Sequence, residues 1–161
     1  MAQAAYLTLR MLAERVVQLT GQIDELNQRL TRLVVRHAQQ LLERVGIGPD
    51  SAVTLLITMG DNLDRLNTEA SLAAPCGVSP IAYSSGRRST RRLNHGGDRQ
   101  ANAVLHRFVF TRLRHYLRTQ AYYERRTQEG KTRGEIIRSL KRYATHEVFN
   151  LVGPVSRAPA L

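Results

Sequence analysis

Residues 5–45, AYLTLRMLAERVVQLTGQIDELNQRLTRLVVRHAQQLLERV, contain no proline, and the rhythm of their apolar positions decides the fold class. Leu9, Leu12, Val16, Leu19, Ile23, Leu26, Leu30 and Leu33 follow one another at steps of 3, 4, 3, 4, 3, 4 and 3, the seam of a coiled coil. The spacing predicts one long helix, reaching on the order of 60 Å at about 1.5 Å per residue. Gly21 is a candidate bend, since glycine costs a helix about 1 kcal/mol relative to alanine. Such a seam needs cover from a second copy, from an antiparallel helix supplied elsewhere, or from the body of the protein. Dimerisation through the coiled coil is the preferred reading.

Working outward, the arm stops at Gly46-Ile47-Gly48-Pro49. Asp50 or Ser51 can cap a second helix carrying Ala52, Val53, Leu55, Leu56 and Ile57 as far as Gly60. Helix, V-G-I-G turn and helix together resemble a helix-hairpin-helix motif. There, Gly46 and Gly48 would let backbone N–H groups approach a DNA phosphate with no side chain in the way. A plain helical corner explains the same four residues. Thr68–Ala74 reads as a short helix closed by Pro75, and residues 76–80 as an irregular turn. Residues 84–97, SSGRRSTRRLNHGG, read as a loop too polar to be buried, and the chemistry is expected there.

Asp98 can cap a helix to about Arg118, with Ala101, Val104, Leu105, Phe108, Val109, Leu113 and Leu117 on its apolar side and most of its arginines elsewhere. A further helix carries Tyr122 and Tyr123, which either anchor the core or stack on a base. Gly130 breaks it. A last helix over about Thr132–Leu151 has Ile136, Ile137, Leu140, Tyr143, Ala144, Val148 and Leu151 apolar. Its Arg133, Arg138, Lys141 and Arg142 either track a nucleic-acid backbone or form a solvated face. No repeat and no strand-rich segment appears, so the expected class is all-α: a coiled-coil arm (1–45), a compact helical domain (46–152) and a frayed tail (153–161).

The 161 residues carry 24 Lys and Arg against 13 Asp and Glu, a formal net charge of +11. Residues 1–82 hold 7 arginines against 8 acids, whereas residues 83–161 hold 17 basic residues, 15 of them Arg, against 5 acids. Charge so segregated predicts a polyanionic partner, because each guanidinium facing a phosphate releases condensed counterions. A merely solvated basic surface is the alternative. An apolar content of 42% suffices for a core. No apolar run approaches the roughly 18 residues of a membrane span. No secretory-signal pattern opens the chain. Cys76, the one cysteine, can form neither an internal disulfide nor a zinc site by itself. The expected setting is cytoplasmic, nucleoid-associated when DNA is bound.

The ordered string V-G-I-G-P, G-D, G-V-S-P, Y-S-S-G-R-R, L-N-H-G-G-D-R-Q-A-N, Y-Y-E-R-R, E-G-K-T and I-I-R-S-L-K-R-Y resembles the C-terminal transposase domain of the insertion-sequence one-hundred-ten family. The resemblance covers about Leu41–Val152 together with the preceding arm. It implies DNA as partner, a guide (bridge) RNA in the complete system, and a role in DNA transposition. The family's nucleophilic serine stands directly before a glycine, a few residues after a G-x-x-P turn. Carried onto Gly77-Val78-Ser79-Pro80, that position is Ser85, followed by Gly86, with Ser84 as its neighbour. The resemblance implies that this hydroxyl attacks a DNA phosphate and holds one end covalently, conserving the phosphodiester's energy for religation. The turn has V-G-I-G where the family often has P-G-I-G, and Cys76 stands where a small residue is usual.

The residues themselves support this in part. A phosphoryl transition state needs positive charge around its oxygens. Arg87, Arg88, Arg91 and Arg92 lie within seven residues of Ser85 and can supply it, with Arg99 following. His95 is the nearest titratable candidate for a base, and is equally a phosphate-binding or helix-capping residue. The resemblance places Mg²⁺ on acidic residues of a separate RuvC-like domain before the arm, so no cofactor is expected on this chain. Asp61, Asp64 and Glu69 belong to the transposase-domain pattern and are no substitute. Without that domain the polypeptide is expected not to complete transposition. A non-catalytic nucleic-acid-binding or dimerising remnant is the alternative, and an interaction protein that dimerises through residues 9–33 is a third.

Overall fold

The computed structural model describes residues 2–60 and 65–152, with the backbone alone at Ala2 and at positions 88–91. Asp61, Asp64 and the tail 153–161 lie outside the described residues. The fold is all-α as expected, with one small addition. The arm is helix α1 (Ala2–Leu42), interrupted at Ala38, whose backbone (φ −160°, ψ 57°) leaves the helical region. The interruption falls where the helix changes surroundings. Val34, Ala38 and Leu41 are buried in the body, whereas Leu9, Leu12, Val16, Leu19, Ile23 and Leu26 remain 39–66% exposed. The chain's own body therefore leaves the seam uncovered over residues 9–26.

Gly48 caps α2 (Pro49–Met59), and Gly60 ends it at φ 72°. A reciprocal capping box between Thr68 and Ser71 starts the short α3 (Glu69–Ala73). Next, where a loop was expected, the chain forms an antiparallel hairpin of β1 (Ile81–Ser85) and β2 (Arg88–Arg92). Its tip explains it. Gly86 adopts φ 56° and Arg87 a negative φ, the Gly-X pattern of a two-residue type II′ connection. Every residue of β1 is exposed, so no buried face imposes the alternation by which strands are normally recognised.

Asp98 caps α4 (Arg99–His115), its Oδ1 accepting from the N–H of Gln100 at 2.7 Å. The helix ends three residues before the expected Arg118. Tyr116 turns extended (φ −126°, ψ 105°), and α5 (Leu117–Gln128) begins there. The Gln120 amide donates to the Leu113 and Arg114 carbonyls (3.0 and 3.2 Å), satisfying the broken end. Leu117, expected on the apolar side, is consequently 82% exposed. Gly130 (φ 79°) closes the next corner, and Thr132 and Glu135 form the box that opens α6 (Arg133–Val152). The E-G-K-T string is thus a helix-to-helix corner.

The core lies between the end of α1, α2, α3, α4 and α6, around fully buried Leu41, Leu55, Leu72, Leu105, Phe108 and Val148. Each such side chain contributes about 1.5–3 kcal/mol by leaving water. Arg112 ties the layers together. Its fork lies bidentate on Glu147 of α6 (2.6 and 2.9 Å), its Nε donates to the Val45 carbonyl at 3.0 Å, and its carbon stands 4.1 Å from the Phe108 ring centroid.

Candidate nucleic-acid interface

Two helices present matched stripes to one concave surface. On α4 the residues Ala101, Val104, Leu105, Phe108 and Val109 face the core. The set displaced by two positions, Arg99, Asn102, Ala103, His106 and Arg107, lines a cleft. On α6, Ile136, Leu140, Ala144 and Val148 are buried, while Arg138, Ser139, Arg142 and Tyr143 line the same cleft. The foot of the hairpin, the G-V-S-P turn, Arg126 and Lys131 complete its walls. The cleft measures about 1280 Å³.

Among the described residues lining it, eight are Lys or Arg (Arg92, Arg99, Arg107, Arg126, Lys131, Arg138, Lys141 and Arg142), and Glu135 is the one carboxylate. Some of the cations are engaged internally. Arg107 pairs with Asp50 at 3.1 Å, Arg126 pairs with Glu129, and the Lys141 ammonium donates to Asn102 Oδ1 at 2.8 Å. Burial, and then the charge of Arg138, pull Lys141 below the ordinary lysine value. Arg142 donates through Nε to His146 Nε2 at 2.9 Å, and His146 Nδ1 stands 2.8 Å from Glu69 Oε2, so the imidazole fixes Arg142 at the rim. Among the described residues the side chains of Arg99, Lys131 and Arg138 have no hydrogen bond and no ion pair within 4 Å, although the charges of Lys131 and Arg138 help hold the Glu135 carboxyl below its ordinary value, after its hydrogen bonds from Thr132. Arg112, held on Glu147, is a structural arginine, which shows that the charge total overstates what the surface offers.

The motif L-N-H-G-G-D-R-Q-A-N seats the hairpin on the body. Asn94 Nδ2 donates to the Ala74 carbonyl at 3.1 Å, and the Asp98 N–H to that of Pro75 at 2.7 Å. Asn102 Nδ2 reaches the Cys76 and Gly77 carbonyls at 3.0 and 3.2 Å. Buried beneath this junction, the Cys76 thiol is pushed up to about 12 by desolvation and by the charge of Asp98.

The sequence-predicted site residues divide accordingly. Ser85 is exposed at the tip, paired in register with Arg88 across the Gly86-Arg87 connection. It shares a strand face with Tyr83, while Ser84 lies on the opposite face. The guanidinium of Arg92 stacks 3.7 Å from the Tyr83 ring centroid and reaches the cleft at the hairpin's foot. Arg87 is exposed beside Ser85. Arg88 and Arg91 belong to β2, and their side chains lie outside the described residues. Arg99 opens α4 and lines the cleft.

His95 also lines the cleft, at the end of the hairpin away from Ser85; β1 alone spans about 13 Å. Gly46 adopts φ 97° and packs against Phe108, where an added Cβ would meet the ring at 2.8 Å. Gly48 has open space around it, but Asp50 occupies the first turn that follows. Neither glycine lines the cleft. Arg138, Lys141 and Arg142, which the sequence offers as either tracking a nucleic-acid backbone or forming a solvated face, line the cleft, together with Lys131 and Tyr143, which the sequence does not place in the site. The signal for the first three was their i, i+3, i+4 spacing. Among the described residues no group of three or more His, Cys, Asp or Glu side chains is placed to hold a metal ion. No described helix is long and apolar enough to cross a membrane.

Charge of one sign gathered into a concave site is the electrostatic signature of polyanion binders as a class. The sequence carries the matter one step further. Residues 38–124, more than half of the chain, match the Transposase IS116/IS110/IS902 family, and the chain belongs to that family. No curated protein matches the chain. Membership supports a transposase role in the recombination of insertion sequences, with interaction with DNA. The match takes in α2, α3, the hairpin, α4 and part of α5; the arm's seam and α6 lie beyond it.

Proposed function

We propose that the cleft between the hairpin foot, α4 and α6 holds a DNA backbone, and that Ser85 at the hairpin tip is the nucleophile of strand transfer. The observation that carries the first part is the lining of eight cations against one carboxylate. Several phosphates can be neutralised there at once, and Arg99, Lys131 and Arg138 give up no hydrogen bond or ion pair among the described residues to do so. The second part rests on family membership and on exposure: Ser85 is exposed at the hairpin tip, with Arg87, also exposed, two residues on.

In the transfer step a bond forms between Ser85 Oγ and phosphorus while one P–O bond to a deoxyribose breaks. The proton lost from the serine is matched by the one the released sugar hydroxyl gains. The phosphodiester count is unchanged, so resealing reverses the step without an external energy source. The guide RNA implied by the resemblance would meet the same cationic lining, and the uncovered seam of α1 would be closed by a second copy of the chain.

One observation favours a second reading, a module that binds without cutting. Ser85 has no titratable hydrogen-bond partner among the described residues, and His95 stands at the other end of the hairpin. Incubation with a DNA junction, with the family's acidic domain added, followed by denaturing electrophoresis separates the two. A serine-linked adduct that disappears in Ser85→Ala, while DNA affinity stays within about two-fold, supports the nucleophile. An adduct or wild-type recombination persisting in that variant removes Ser85 from the chemistry.

A further inference from the structure

Tyr143 was expected among the core residues of the last helix, yet its ring is 56% exposed while its helix neighbours Leu140, Ala144 and Thr145 are buried. It lies on the polar stripe of α6, one position after Arg142 and four after Ser139, and lines the cationic cleft. Tyr122 and Tyr123, the residues that sequence offered for base stacking, are half-buried on α5 and pack against the core.

The Tyr143 ring is held in place on two sides. The Tyr122 ring meets it edge-on at 5.7 Å and 85°, and the His146 ring at 6.5 Å and 80°. His146 is in turn fixed by Glu69 and Arg142. Burial, followed by its contact with Tyr143, pushes the Tyr122 phenol up from its ordinary value.

We infer that Tyr143 is a stacking platform for an unpaired nucleobase, so that the cleft takes a single strand, or a strand with a base turned out, in preference to an intact duplex. The inference rests on the cleft reading above and deepens it. Cations alone do not discriminate, since both forms carry phosphates. A fixed aromatic ring does: in a duplex the base faces are occupied by their own neighbours, and only an unpaired base offers one to a protein side chain. The cationic stripe around Tyr143 supplies the backbone contacts that bring such a base over the ring. The chemistry recognised is a nucleobase on a phosphate chain, and DNA and RNA both provide it.

The test uses the full chain and fluorescence anisotropy with one labelled oligonucleotide sequence in three forms: unpaired DNA, unpaired RNA and duplex DNA. The expected result is tighter binding of one or both unpaired forms than of the duplex, the RNA and DNA arms showing which strand the cleft prefers. Tyr143→Ala is expected to lose about ten-fold on the unpaired strand and little on the duplex, leaving the salt dependence unchanged. Tyr143→Trp, which keeps a ring, restores the preference, and circular dichroism of each variant verifies that the fold is intact. Equal losses on both forms, or an unpaired-strand affinity untouched by Tyr143→Ala, overturn the stacking role while salt-dependent binding leaves the cleft standing. Absence of salt-dependent binding to any of the three overturns the cleft itself.

Discussion

Gly77 and Gly97 meet backbone to backbone: a Cβ placed on Gly97 would come within 2.3 Å of both the Cα and the nitrogen of Gly77. No side-chain rotation relieves a contact of that kind, because neither atom belongs to a flexible group. The contact locks the end of the hairpin segment onto the turn that precedes it, and Asn94, Asp98 and Asn102 fasten the same junction. A hairpin whose first strand buries none of its residues is thereby anchored to the body at its foot.

Replacing Gly97 with alanine is therefore expected to destabilise the protein by about 2–4 kcal/mol, at the upper end of single-residue effects. Thermal unfolding followed by circular dichroism reads it as a drop on the order of 5–15 °C. Gly48→Ala is the milder comparison: nothing lies within 4 Å of its added Cβ, and it should lose only the roughly 1 kcal/mol or less by which alanine is a poorer N-cap than glycine. A Gly97→Ala protein with unchanged melting and unchanged nucleic-acid binding contradicts the locked junction.

Cys76 supplies a pH dependence whose sign can be worked out. Its thiol has an ordinary value of 9.0 and is pushed up to about 12 in the folded chain. Above pH 9 the unfolded chain loses this proton while the folded chain keeps it. The contribution to stability is therefore complete below pH 9 and lost as pH rises towards 12. Denaturant titrations across pH 8–11 are expected to show stability falling more steeply in the wild type than in Cys76→Ala. Under native conditions at pH 8 the thiol should also resist alkylation until the protein unfolds. Rapid native labelling contradicts the burial.

The exposed 3-4 seam of α1 predicts self-association. Ile23→Asp, at a seam position 56% exposed in the single chain, is expected to shift sedimentation from dimer to monomer without loss of helical signal from the body. A wild type that sediments as a monomer at every accessible concentration contradicts the coiled-coil reading.

The helices were legible because period and punctuation agreed. The 3-4 rhythm marked α1, Asp98 marked the start of α4, and Gly130 marked the corner before α6. The hairpin does not read as strands because Ile81–Ser85 buries nothing, and the alternation of Ile81 and Tyr83 with Ala82 and Ser84 is too short to stand out before the polar run that follows. Its clue was one glycine at a positive φ. Ser85 was found only through motif order, since nothing about an exposed serine beside arginines separates a nucleophile from a phosphate ligand. The cleft was hidden for a different reason. Arg99 and Arg107 on α4 and Arg138 and Arg142 on α6 are far apart in sequence, and only the packing of the two apolar stripes turns their polar stripes towards one space. Gly46 shows what the motif alone does not reveal: its missing side chain makes room for Phe108.

A cleft that grips a sugar–phosphate chain must release condensed counterions when it binds. The direct measurement is the slope of log affinity against log salt concentration for an oligonucleotide, in the wild type and in the double variant Arg99→Gln with Arg138→Gln. A steep slope is expected in the wild type, shallower in the double variant by about 0.7–0.9 for each phosphate contact removed. A slope that is flat, or that the double variant leaves unchanged, contradicts that grip.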